Sequence, residues 1–156
     1  LVDRRVALGQ FGSCAALAGA VARQLRARGA QVISLDHPDE EHQARTANGF
    51  NAELYLGLHL ERDSSSRIQY FSTEGFQSEG GLRLARRCVT ALGNSLVGNY
   101  EIHGMRLPIL RATRMPAVVC SLGPPSHVVR ATGQIAESLA SAVAAWIDDP
   151  VSLPEG

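Results

Sequence analysis

A strand–helix–strand unit at the start of the chain most constrains what it can fold into. Residues 4–9 (RRVALG) read as a short strand ending at glycine. Phe11-Gly12-Ser13 then turns into a helix, for which Ser13 is a suitable N-cap. Cys14, Leu17, Ala18, Val21 and Leu25 recur at helical spacing, and Arg23, Gln24, Arg26 and Arg28 fill the other face. Gly29 supplies the C-terminal stop. Residues 31–35 (QVISL) form the next strand. Two strands joined this way favour a right-handed parallel crossover.

The pattern continues along the chain. Residues 36–39 turn at Pro38, and residues 40–48 read as a short polar helix. Residues 53–59 (ELYLGLH) are almost uninterruptedly apolar, as expected of a strand buried on both faces. A strand is expected at 67–72 and a loop at 73–81. A long helix follows, with Leu82, Ala85, Cys88, Val89, Leu92 and Leu96 on one face. A connector at 98–104 leads to strands at 107–111 and 115–121, and Gly123-Pro124-Pro125 breaks the chain. The last helix spans 131–148, with Ile135, Ala136, Leu139, Val143, Trp146 and Ile147 as its buried stripe. This alternation predicts an α/β fold, with a single mostly parallel (mixed) sheet of about six strands flanked by helices. The chain's 156 residues suit one domain over 1–148, with 149–156 as a tail or linker.

Charge narrows the partners. Fifteen basic and fifteen acidic residues balance, and every basic residue is Arg. A chain of zero net charge lacks the clustered positive charge on which nucleic-acid and anionic-membrane binders depend. The absence of Lys removes Schiff-base chemistry and a P-loop lysine, and fits a GC-rich coding bias. No apolar run is long enough to cross a bilayer. The chain begins with Leu1 rather than Met, so a fragment or processed form is expected, and the absence of a visible secretory leader says little about compartment. Cys14, Cys88 and Cys120 each lie in an apolar segment and are expected to be buried free thiols.

Ligands of open α/β sheets collect beyond the carboxyl ends of the strands. That rule singles out residues 9–12, 59–62, 111–113 and 121–127. His59 ends the apolar strand, and Glu61, two residues on, points the same way in an extended segment. Such a pair can bind a metal or act as base and orienter, although a rim histidine more commonly makes ordinary hydrogen bonds. Ser121 ends another strand; with His59 and His127 it outlines a Ser/His hydrolase, but the Gly-x-Ser-x-Gly elbow is absent. Gly9 and Gly12 could let a phosphate approach a helix N-terminus, but a full G-x-G-x-x-G is missing.

Two segments carry a family resemblance. Ala52-Glu53-Leu54-Tyr55-Leu56-Gly57-Leu58-His59-Leu60-Glu61 is similar to a strand of the form A-D-hydrophobic-x-I-S-I-H-A-N. Leu110-Arg111-Ala112-Thr113-Arg114-Met115-Pro116-Ala117-Val118-Val119-Cys120-Ser121-Leu122-Gly123 is similar to L-R-x-T-x-M-P-A-V-L-V-E-hydrophobic-G. Both patterns belong to the zinc-dependent N-acetylmuramoyl-L-alanine amidases (Amidase_3 type), which cleave between muramic acid and the stem peptide of peptidoglycan. Arg45-Thr46-Ala47-Asn48 and the final helix also resemble the family, and the likeness covers residues 4–148.

The resemblance implies a degenerate site. Of the family's three zinc ligands only one has a counterpart, His59; the H-G-G loop is absent and the ligand Glu falls near Gln10. The family's catalytic Glu falls on Ser121, so no catalytic residue is assigned with confidence. A catalytic zinc needs about three protein ligands, and loss of a general base alone costs roughly two to four orders of magnitude in rate. A new ligand set would have to come from His59, Glu61, His103 and His127. The expectation is therefore a catalytically impaired, amidase-like domain in peptidoglycan binding or the regulation of its metabolism. It needs no cofactor, and its partner is a peptidoglycan fragment or a cell-wall synthesis protein. The contact residues would be His59, Glu61, Arg111, Ser121 and His127 with the 73–81 loop; Arg111 and Arg114 are the local cations for an acidic muropeptide. The compartment is the cell envelope or the cytoplasmic face in a bacterium. The alternative is an active amidase holding zinc, hydrolysing the muramoyl–peptide amide bond.

Overall fold

The computed structural model describes residues 1–12, 14–93 and 100–149. The opening unit forms as β1 (Arg5–Phe11), α1 (Ala15–Ala27) and β2 (Gln31–Leu35), with β1 and β2 parallel. Gly29 ends α1 with a φ of 94°. Its N–H donates to Arg26 O at 2.9 Å and Ala30 N–H to Leu25 O at 3.1 Å, the paired bonds of a Schellman stop. The proposed cap Ser13 lies outside the described residues.

Then come α2 (Glu40–Gly49), β3 (Leu54–Leu60), β4 (Ser66–Thr73), β5 (Phe76–Gln77) and α3 (Glu79–Leu92). The chain continues through β6 (Tyr100–Met105), α4 (Pro108–Ala112), β7 (Ala117–Leu122), α5 (Pro125–Arg130) and α6 (Thr132–Asp148). The sheet is single and mixed. Strands β2, β1, β3 and β7 run parallel; β4 joins β7 antiparallel, and β6 pairs beside β4.

Each face of the sheet has its own core. Leu8, Leu54, Leu56, Leu58, Val118 and Cys120 face the layer of α1, α3 and α6. Ala7, Tyr55, Ala117 and Val119 face α2 and α4. Two-sided burial explains why β3 lacks polar alternation until His59. All three cysteines are buried and free.

Several expectations need correction. Residues 107–111 are not a strand: Pro108 opens the short helix α4, its missing N–H costing nothing in a first turn. Of the expected 98–104 connector, residues 100–104 belong to strand β6 and 98–99 lie outside the described residues. The expected loop at 73–81 contains β5 and the start of α3, which Ser78 caps by accepting from Gly81 N–H at 3.1 Å. On α3 the core position is Leu84, while Leu82 and Val89 are only partly buried; Leu96 lies outside the described residues. Trp146 and Ile147 are likewise only partly buried. The break at 123–125 is followed at once by helix α5.

Tyr55 fixes the α2 face. Its ring is fully buried and lies across Gly57, where an added Cβ would stand 2.9 Å from Tyr55 Cε1. At Gly9 a Cβ would meet the Tyr55 hydroxyl and Gln43 Oε1. Gly9 is thus a mid-strand residue that makes room for a ring, which overturns the phosphate-turn reading. The hydroxyl donates to buried Gln43 Oε1 at 2.8 Å. Gln43 Nε2 donates to His37 O at 2.7 Å and Gln10 O at 3.2 Å, tying α2 to the ends of β1 and β2. Burial, then the charge of Glu40, push the Tyr55 hydroxyl far above its ordinary range.

Two outcomes follow. Gly9→Ala should destabilise the chain by about 1–3 kcal/mol through overpacking, and part of that cost should vanish in a Tyr55→Phe background, as urea-melt double-mutant cycles would show. Because the folded state raises the Tyr55 pKa, its contribution is present below the unfolded value of about 10 and is lost as pH rises above it, by up to about 1.4 kcal/mol per pH unit. Tyr55→Phe should make the stability–pH curve shallower in that window.

Candidate functional site

Strand register brings the site together. Phe11, His59, Ser121 and Arg67 are successive partners across β1, β3, β7 and β4, so their side chains share one face. One row deeper lie Gly9, Gly57, Val119 and Gln69. Because β4 runs antiparallel, its first half joins the carboxyl ends of its neighbours at this edge. A cleft of about 330 Å³ opens there. His59, Glu61, Gln69 and Ser121 supply its polar lining, Phe11, Leu107 and Val119 its apolar walls, and Glu40 enters from the first turn of α2.

The polar groups are paired to one another. Arg67 Nη2 donates to Glu61 Oε1 at 2.9 Å, and His59 Nδ1 stands 3.4 Å from the same oxygen. Glu61 is held well inside, with 18% of its side chain exposed against 43% for His59. Ser121, buried beneath, donates from Oγ to Gln69 Oε1 at 3.1 Å. Gln69 is itself buried. Glu40 Oε1 accepts from Ile109 N–H at 3.3 Å, which links α2 to α4.

These contacts sort the expected site residues. His59, Glu61 and Ser121 come together. Gln10 does not join them: it is one residue out of phase on β1, in register with Leu58, and Phe11 stands beside His59 instead. Arg111 is on α4 in a separate depression, and exposed His127 is on α5 outside the cleft lining. His103 sits on β6 and pairs with Glu101 Oε2 at 2.8 Å. The set His59, Glu61, His103 and His127 therefore does not converge. Among the described residues no three His, Cys, Asp or Glu side chains gather to hold a metal ion. This donor set does not fit a three-ligand zinc centre. The hydrolase arrangement is not formed either, since the Ser121 hydroxyl is given to Gln69.

Phe11 lies within the 9–12 segment singled out in the sequence, whereas Glu40, Arg67 and Gln69 lie outside every such segment. A helix that follows a parallel strand starts at the carboxyl edge, which could have indicated Glu40. Nothing local marks β4 as the strand that reverses. Asn48 of the Arg45-Thr46-Ala47-Asn48 segment has a positioning role: Nδ2 donates to Ala112 O at 3.0 Å and Oδ1 accepts from Arg114 N–H at 2.9 Å, clamping the turn after α4.

No protein-family profile matches the chain, and no curated protein matches its sequence. Solved structures do. The N-acetylmuramyl-L-alanine amidase Ami1 of Mycobacterium abscessus superposes with a TM-score of 0.76 at 13% identity, over 94% of this chain and 100% of that one. The catalytic domain of the CD27L endolysin, which targets Clostridium difficile, gives 0.73 at 18% identity, over 91% and 97%. The CwlD amidase of Clostridioides difficile, solved in complex with the GerS lipoprotein, gives 0.71 at 10% identity, over 95% and 100%. What the chain shares with these proteins is the fold, at the breadth of a whole domain.

Ser121→Ala leaves the buried Gln69 oxygen without its donor and should cost about 1–3 kcal/mol in urea unfolding. The double variant Ser121→Ala/Gln69→Leu should recover part of that loss.

Proposed function

We propose that this chain is an amidase-fold domain of peptidoglycan metabolism that binds a peptidoglycan fragment in the His59–Ser121 cleft without hydrolysing it. The observation that carries the reading is the closed pairing of the cleft's polar groups on a fold shared with solved amidases. Glu61 is committed to Arg67 and Ser121 to Gln69. Amide hydrolysis of this kind draws on a three-ligand metal that acidifies water and on a free carboxylate that takes its proton, and here Glu61 is held by Arg67 and Glu40 by the Ile109 N–H. Binding needs neither. Paired, partly buried amide, carboxylate, guanidinium and imidazole groups with an aromatic wall at Phe11 suit the hydroxyl- and amide-rich parts of such a fragment. A protein partner is consistent with the same fold, since CwlD was solved with a lipoprotein bound.

Calorimetric titration with purified muropeptides tests the reading. Heat of binding is expected at millimolar ligand or below, weakened about ten-fold by Gln69→Ala. The purified chain should retain less than ~0.1 equivalent of zinc, as expected of a site without three converging ligands, and should release no stem peptide from sacculi. Absence of heat at millimolar ligand overturns the binding reading. Stoichiometric zinc with stem-peptide release replaces it by an active zinc-dependent N-acetylmuramoyl-L-alanine amidase.

A further inference from the structure

A second depression lies on the same face of the sheet, on the other side of α4 from the cleft. Its volume is about 320 Å³. Phe71 and Phe76 form one wall, their rings 5.9 Å apart and tilted at 48°, with Phe76 59% exposed. Leu110, Met115 and Pro116 form the opposite apolar surface, and Arg111 and Arg114 stand with them.

The charges here are out of balance in an otherwise neutral chain. Arg111 and Arg114 line the depression and no acidic residue does. The Arg111 side chain is 65% exposed, and its ion pair is a long one, 3.8 Å to Glu41 Oε1. Arg114 offers its backbone N–H to Asn48, while its guanidinium has no ion pair among the described residues. The arginines are nevertheless placed, because Asn48 clamps the turn between them and Thr113 Oγ1 donates to Ile109 O at 3.0 Å. Ser78, whose Oγ caps α3 by accepting from Gly81 N–H, also lines the depression.

We infer that this depression is a binding site for a short peptide bearing a free C-terminal carboxylate next to a small apolar side chain. Arginine forks recognise a carboxylate in two parallel hydrogen bonds. The aromatic and aliphatic walls then cover the adjoining side chain, and a volume near the lower end of ligand pockets fits one or two small residues rather than a long acyl chain. The site is separate from the cleft, and the inference stands whether or not the cleft binds peptidoglycan.

An amide-resolved NMR titration tests it with N-acetyl-alanyl-alanine, its C-terminal amide and inorganic phosphate as probes. The free acid should shift the resonances of Phe76, Ser78, Thr113 and Met115. The amide, without the carboxylate, should bind at least about ten-fold more weakly. Arg111→Gln/Arg114→Gln, two exposed substitutions that leave the core intact, should lower affinity for the acid by a similar factor. Phosphate should not reproduce the shifts at Phe76 and Met115. Equal binding of acid and amide, undiminished binding by the double variant, phosphate shifts identical to the peptide's, shifts confined to His59 and Ser121, or no shifts would each overturn the assignment.

Discussion

The structure depends on one ring lying flat on a sheet. Tyr55 can occupy the α2 face only because Gly57 and Gly9 present no side chain beneath it. Its hydroxyl would be costly to bury alone, and Gln43 removes that cost while its own amide reaches the ends of β1 and β2. The position of α2 follows. Glu40 then reaches Ile109 and fixes α4 beside it. A packing requirement deep in the sheet thus sets the walls of the cleft at its edge.

Within the cleft the polar groups answer one another. A carboxylate already bound to a guanidinium, and a serine already bound to an amide, are pre-positioned hydrogen-bonding surfaces rather than reactive groups. Ordering them costs little when a ligand arrives, because their rotamers are set in the free protein. Arg67 offsets the charge of Glu61, whereas Glu40 adds a second carboxylate to the lining, held only by the Ile109 N–H. The depression beyond α4 is the opposite case, since Arg111 and Arg114 line it and no acidic residue does.

The parts of the fold written in periodicity were legible in the sequence. The β1–α1–β2 unit, the two-sided burial of β3 and the stripe of α6 follow from spacing that only one geometry satisfies. Residues 107–111 were misread because Leu107, Ile109 and Leu110 are apolar in a run too short to separate strand from helix; Pro108 was the informative residue. The cleft was legible where it sits on parallel strand ends, at His59, Glu61 and Ser121. It was not legible at Arg67 and Gln69, because strand direction is a property of the assembled sheet and no local pattern encodes it. The one-residue difference between Gln10 and Phe11 mattered for the same reason: alternation sends neighbours to opposite faces, so an alignment uncertain by one cannot say which of them meets His59.

Helix α4 gives this face its two-part character. Had residues 107–111 extended the sheet, the region over β4 and β7 would have been one open surface. As a single turn and a half, α4 packs Ile109 and Leu110 into the core, lends Leu107 to the cleft and places Arg111 in the other depression. Ser121 and Ala117, which mark the two depressions on β7, are four residues apart, about 13 Å at the rise of a strand. A polar cleft lined by two carboxylates and a cationic apolar depression at that separation present distinct chemistries on one scaffold. Because α2 holds α4 through Glu40 and its following turn through Asn48, a change in either depression is opposed by the same buried Tyr55–Gln43 anchor. The face is therefore built to keep its two surfaces in fixed register.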